Sequence, residues 1–423
     1  MNPTAEPTTP TATPTPRPPL LSRALLLRFV SVVGSTASFF LLLSAVPAHA
    51  GRGGAGLATG SLMLSTVLGE LAGPRILGRY GRRGPLAAGL FLLGAPALVL
   101  PLSDAPAWTA AVCLVRGLGF GLTMVAGGAL TAALIPAGRR GEGLALVGVV
   151  GGVPALLALP LGIWLAGHLG YATVTTAAAV AALAALPTVP ALRVDGAAAG
   201  GRGRARGGAA AGNRRTARLG AAAGGGREAD LGMVGAVRAG GLRRPTMVFA
   251  ATAVAAGILV TFLPLAVPPA SGVATPALLV QSTASTAARW AAGRYGDRRG
   301  SWRLVVPGLL VSAAGLSALA ATSSPVAVLV GAAVFGTGFG VTQNATLTLM
   351  YSRVSAGSYG TVSALWNLAY DGGMGVGAAG FGLLTAHTGY VWGFALTGIL
   401  MLGALGPAVR DRRADARHHP ARP

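Results

Sequence analysis

The sequence predicts an all-α polytopic membrane protein whose 12 transmembrane helices form two pseudo-symmetric six-helix bundles. Three observations predict it. More than half of the 423 residues are apolar and only 10% are charged, whereas a soluble domain carries about 25% charged residues. Twelve apolar stretches approach the ~20 residues that a bilayer crossing requires. The chain also repeats itself at a fixed offset of 219 residues, which takes Arg79 onto Arg298, Gly81 onto Gly300, Gly89 onto Gly308 and Pro106 onto Pro325. At the same offset RGLGFGLT (116–123) overlays FGTGFGVT (335–342), and HLGY (168–171) overlays HTGY (387–390). Internal duplication of membrane helices is the build of many secondary transporters.

Composition narrows the function classes. All 33 basic residues are arginine, for a formal net charge of +22, but their placement along the chain argues against a nucleic-acid partner. Cys113 is alone in an apolar run, so the chain has no internal disulfide and the thiol reads as a small core residue. The five histidines, His49, His168, His387, His418 and His419, form no metal-ligand spacing. No metal and no cofactor are expected. No Ser/His/Asp set, HExxH motif or carboxylate pair stands at a catalytic spacing, so no catalytic residue is assigned and an enzyme is not expected.

In chain order, residues 1–22 are Thr/Pro-rich and read as a disordered tail. Residues 23–191 form the N-terminal six-helix bundle, with spans near 24–46, 56–74, 86–103, 108–134, 142–167 and 171–191. The first span ends at PAHA (47–50), which mimics a signal-peptidase site. A retained span is expected, since cleavage would leave an odd number of helices. Residues 192–244 are Gly/Ala/Arg-rich with no apolar stripe and read as a linker. Its GRGRARGG lacks interleaved aromatics for base stacking, so a solvated segment lying against anionic lipid headgroups is the better account. The C-terminal bundle occupies 245–409, with spans near 245–266, 273–292, 303–321, 326–350, 360–385 and 390–409. A basic tail, 410–423, closes the chain.

Arginine placement gives the orientation. With the spans so drawn, every arginine except Arg52 and Arg116 falls on one side, including a segment from Arg289 to Arg303 assigned between the eighth and ninth spans. Basic loops stay cytoplasmic, so both termini and the linker are expected inside a plasma-membrane protein.

The second copy of the repeat reads GRYGDRRGSWR, from Gly293 to Arg303. Gly293 and Gly300 allow close approach of helix ends. Asp297, one carboxylate among Arg294, Arg298, Arg299 and Arg303, is expected to be ionised and paired, as a latch that clamps the bundles in one state and releases in another. The first copy has Gly78 at the acid position but keeps Arg79, Gly81, Arg82 and Arg83. The motif G-x-x-x-D-R-x-G-x-x-R, the twelve spans and the long central loop together resemble the major facilitator superfamily (MFS). The resemblance runs from about Ala24 to Val409. It implies the MFS fold, a monomer, a small-molecule substrate, alternating access and protons as coupling ion.

Polar residues within spans are the remaining candidates. Arg116 opens RGLGFG in the fourth span, where a guanidinium costs about 2.5–3.5 kcal/mol and must face a cavity or a partner. The resemblance implies a part in proton coupling or substrate handling; a structural cross-helix hydrogen bond fits as well. Asp371 lies about eleven residues into the eleventh span, ~16 Å deep at 1.5 Å per residue. A poorly solvated carboxyl there is suited to carrying a proton as access alternates, and equally to a buried hydrogen bond. Glu70, nearer its span's end, reads as a coupling candidate or as a partner for the arginines of its loop. Asn367 and Tyr370, with Gln343 and Asn344 in the tenth span, are candidate substrate contacts. The Gly/Pro-rich fifth span, GVVGGVPALLALPLG, resembles the antiporter motif of the family out of frame. The expected function is proton-coupled efflux of a drug or metabolite. Uptake by the same fold, or a non-transporting sensor, are the alternatives.

Overall fold

The computed structural model describes residues 21–135, 140–192, 233–355 and 358–418. Most of the expected N-terminal tail, most of the linker and the last residues of the basic tail lie outside the described residues. Within them the helices are α1 (Arg23–Tyr80), α2 (Arg83–Gly94), α3 (Pro106–Leu134), α4 (Arg140–Leu169), α5 (Tyr171–Leu183), α6 (Met233–Arg238) and α7 (Gly240–Ala266). They continue as α8 (Ala274–Arg299), α9 (Trp302–Ala318), α10 (Pro325–Ser352), α11 (Tyr359–Met401) and α12 (Leu405–His418).

Two of these helices are each a pair. Gly51, at φ 66°, breaks α1 into arms 23–50 and 52–80, and Gly389, at φ 73°, breaks α11 into arms 359–388 and 390–401. A 3-10 stretch, Ala95–Leu102, extends α2 across the remaining depth, where Pro96 and Pro101 prevent a regular helix. The arms, the extended α2 and the remaining long helices supply twelve segments in six-plus-six order. Leu98, Val326, Leu383 and Leu400 stand exposed on outer surfaces, as a lipid-facing coat requires.

The repeat in the sequence is a repeat in packing. A Cβ on Gly117 of α3 would strike the Leu62 carbonyl of α1, and one on Gly336 of α10 would strike the Gln281 carbonyl of α8. Gly121 meets Thr66 as Gly340 meets Ser285, and Gly119 meets Leu93 as Gly338 meets Ser312. All six pairings obey the sequence offset. Each half is therefore keyed by a glycine-faced helix pressed against two neighbours, the close approach that membrane helices use where lipid offers no hydrophobic drive.

Three boundaries differ from expectation. The second half packs from before 245, because Ala236 of α6 and Leu242 of α7 bury an apolar patch against Met350, Val362 and Leu365. The last pass runs on through a 3-10 turn into α12, where Asp411 is buried and receives a bidentate ion pair from Arg353 at 2.9–3.0 Å. Helix α8 continues to Arg299, so Asp297 sits in its final turn and the connection to α9 is only Gly300 and Ser301.

Candidate functional site

The two halves meet most closely toward the Gly51–Gly389 end. There Gly56 packs on the Ala378 backbone, Gly375 admits the Met63 side chain, and Thr261 donates a hydrogen bond to Thr59 at 3.1 Å. At the rim Arg52 lies over the Tyr390 ring, 5.1 Å from its centroid, bridging the halves. On the N-terminal half His49 stacks on Tyr171 and meets Asp104 at 3.0 Å. Tyr171 and Tyr390 are the paired tyrosines of the HxGY repeat.

Toward the arginine-rich end, the seam between α1 and α11 holds one further contact. The Glu70 and Asp371 carboxyl groups lie close to each other across the halves. Two carboxylates have no donor between them, so a hydrogen bond between the two would require a proton on one. Asp371 is 6% exposed. Beyond the pair, α1 from Gly78 to Tyr80 and α11 at Tyr359 and Gly360 are exposed. The carboxyl pair thus lies on the arginine-rich side of the Gly56–Ala378 and Met63–Gly375 contacts. Residues 301 positions apart form it, which is why spacing along the chain shows no such pair. Glu70 makes no ion pair with the loop arginines among the described residues.

Next to Asp371, Tyr370 belongs to an aromatic wall. Its ring centroid lies 6.0 Å from Phe249 of α7 and from Trp366 of α11, and 6.2 Å from Phe339 of α10. Gln343 and Asn344 follow Phe339 on α10, and the amide oxygens of both are buried without a hydrogen-bond partner. Asn367 lies half-buried on α11.

Arg116 is placed elsewhere. It is 1% exposed inside the N-terminal half, and its guanidinium donates to the carbonyls of Leu93 at 3.0 Å and Ser38 at 3.1 Å. It joins three helical segments through backbone acceptors and lies apart from the seam pair.

At the arginine-rich end Gly81 and Gly300, matching residues of the repeat, both cap their helices at positive φ (71° and 88°). Gly293 faces Asn344, whose amide nitrogen would lie 3.5 Å from an added Cβ. Asp297, Arg298, Arg79, Arg82 and Arg83 are exposed. The expected pairing of Asp297 is not made here: among the described residues its carboxylate has no ion pair. The guanidiniums lie over neighbouring rings instead, Arg294 on Trp290, Arg299 on Tyr295, Arg303 on Trp302 and Arg79 on Tyr80, at 4.8–5.5 Å.

Sequence reasoning missed Arg289. It was counted with the loop arginines, yet it lies ten residues before the end of α8, near Tyr370. The repeat offset carried the signal, because Arg289 is the second-half counterpart of Glu70.

Comparison with known proteins places this arrangement. No curated protein sequence matches the chain. Among solved structures, the nucleoside transporter NupG superposes with a TM-score of 0.67 at 10% identity, covering 92% of this chain and 99% of that one. An auto-inhibited POT family peptide transporter gives 0.68 at 14% identity over 93% and 97%. The xylose transporter XylE from E. coli, in an inward open conformation, gives 0.64 at 14% over 90% and 94%. At such identities the likeness establishes the fold. The sequence model of the Major Facilitator Superfamily matches residues 24–378. That match runs through both halves and past Asp371, and it makes the chain a member of the Major Facilitator Superfamily, a membrane transporter rather than an enzyme.

Proposed function

We propose that the protein is a proton-coupled exporter of small molecules in the plasma membrane, with its arginine-rich end and both termini in the cytoplasm. The observation that carries this reading is the pairing of the Glu70 and Asp371 carboxyl groups across the seam. A proton there ties the halves together in this state. Its loss leaves two repelling carboxylates and no bond, which favours the opposite state. Proton occupancy and access are thereby linked. Arg52 on Tyr390 holds the outer rim in this state. Asp297 and its arginines form the latch of the alternate state, in which the cytoplasmic ends approach. Arg116 acts as a clamp within the first bundle. The orientation follows from the arginine distribution. Export is favoured over uptake by the Gly/Pro-rich α4, with Pro154 and Pro160 inside it.

A resistance screen in a host lacking its own exporters supplies a test solute. In proteoliposomes, Asp371→Asn is expected to abolish flux of that solute driven by a pH gradient while the protein remains folded. Unaltered proton-driven flux would remove the pair from the mechanism, and accumulation along the inward proton gradient would show uptake instead.

A further inference from the structure

The repeat that pairs Glu70 with Arg289 also pairs Asp371 with Gly152. One seam, α1 against α11, therefore carries two neighbouring carboxyls. The other, α4 against α8, which also pack together, carries an arginine on one side and a glycine on the other. Gly152 is exposed, and a Cβ added to it would meet nothing within 4 Å. The acid of the first seam has been replaced by empty space.

Arg289 has no hydrogen bond or ion pair among the described residues, and it is exposed although it lies well inside α8. The acid pair can share a proton between its two members, whereas the guanidinium has no such neighbour among the described residues. An unpartnered cation within a span costs about 2.5–3.5 kcal/mol, which a bound counter-ion would offset. The neighbours fit a ligand. Helices α8 and α10 run side by side in register, Gln281 on Gly336 and Ser285 on Gly340. Asn344 of α10 lies against Gly293, one turn beyond Arg289 on α8, and its buried amide oxygen lacks a partner, as does that of Gln343. Tyr370, within electrostatic reach of Arg289, brings the flat wall of Phe339, Phe249 and Trp366. Helix α8 is also, among the described helices of 18 residues or more, the one too polar to count as membrane-crossing by hydropathy.

We propose that Arg289 and the space opposite Gly152 form the binding site for the anionic group of the transported solute, which is a planar organic anion with its ring on the Tyr370 wall and its polar substituents on Gln343 and Asn344. This deepens the transporter reading and rests on it.

The test uses the full chain in detergent with three probes of one shape: benzoate, benzamide and benzylamine. Benzoate is expected to bind the wild type and raise its melting temperature, benzamide to bind at least tenfold more weakly, and benzylamine not at all. Loss of a charge-assisted, bidentate contact in Arg289→Gln should weaken benzoate binding about tenfold or more, with Arg289→Lys intermediate. Gly152→Asp supplies the missing carboxylate; it should remain folded and exclude benzoate, which keeps the test decisive should Arg289→Gln misfold. Absence of benzoate binding, preference for benzylamine, or full benzoate affinity in Arg289→Gln or Gly152→Asp would each overturn the site. None of these results bears on proton-driven flux through Asp371, so the two readings fail separately.

Discussion

Arg116 and Asp371 are both ionisable side chains inside the helical bundle, yet their surroundings give them different work. Arg116 spends its donors on the Leu93 and Ser38 carbonyls within one half. Hydrogen bonds from a charged group are each worth about 1.5–3 kcal/mol, so Arg116→Gln is expected to lower thermal stability strongly. Proton-driven flux per folded molecule should survive; its loss in a well-folded variant would show that Arg116 acts in coupling. Asp371, by contrast, lies across the halves from Glu70 and close to it, and its conservative amide variant is expected to spare the fold and lose the coupling. Both residues were legible in the sequence as charges in apolar runs. Their partners were not, because Leu93, Ser38 and Glu70 lie 23, 78 and 301 positions away and are brought in by packing alone.

At the scale of elements, the glycines of α3 and α10 set how closely each half is knit. A methyl group on Gly336 meets the Gln281 backbone, which cannot swing aside as a flexible side chain could. Gly336→Ala is expected to cost about 1–3 kcal/mol through overpacking, and Gly117→Ala a similar amount by the same contact in the other half. Gly152→Ala, where nothing lies within 4 Å, should be neutral. Melting midpoints of the three variants check this, and equal midpoints for all would contradict the keyed packing. The repeat made these contacts readable in outline: glycine fell on glycine, and the structure shows each pair meeting equivalent neighbours. Helix ends were less readable. The motif from Gly293 to Arg303 reads as a loop from its charges, but Arg294, Asp297 and Arg298 continue α8, since exposed arginines are good helix formers and the first break is Gly300 at positive φ.

For the whole molecule, the halves are joined at the Gly51–Gly389 end by the Thr59–Thr261 bond, the Gly56–Ala378 packing and Arg52 over Tyr390, with the carboxyl pair on the arginine-rich side of these contacts. The fold and its doubling were available from hydropathy and the repeat. The state was not, because a sequence fits every conformation of a carrier at once; hence Asp297 was expected in a pair and stands exposed instead. The central claim is that one proton on the Glu70–Asp371 pair holds this state. Spin labels at Gly78→Cys on α1 and Gly360→Cys on α11, two exposed positions with open space around them, in a Cys113→Ser background, report the separation of the halves at the arginine-rich end by pulsed electron resonance. As pH rises and the shared proton is lost, the label distance is expected to shift from the long, open population to a shorter one, and the Glu70→Gln, Asp371→Asn double variant should show no such shift. A double variant whose distances follow pH as the wild type does would contradict the claim.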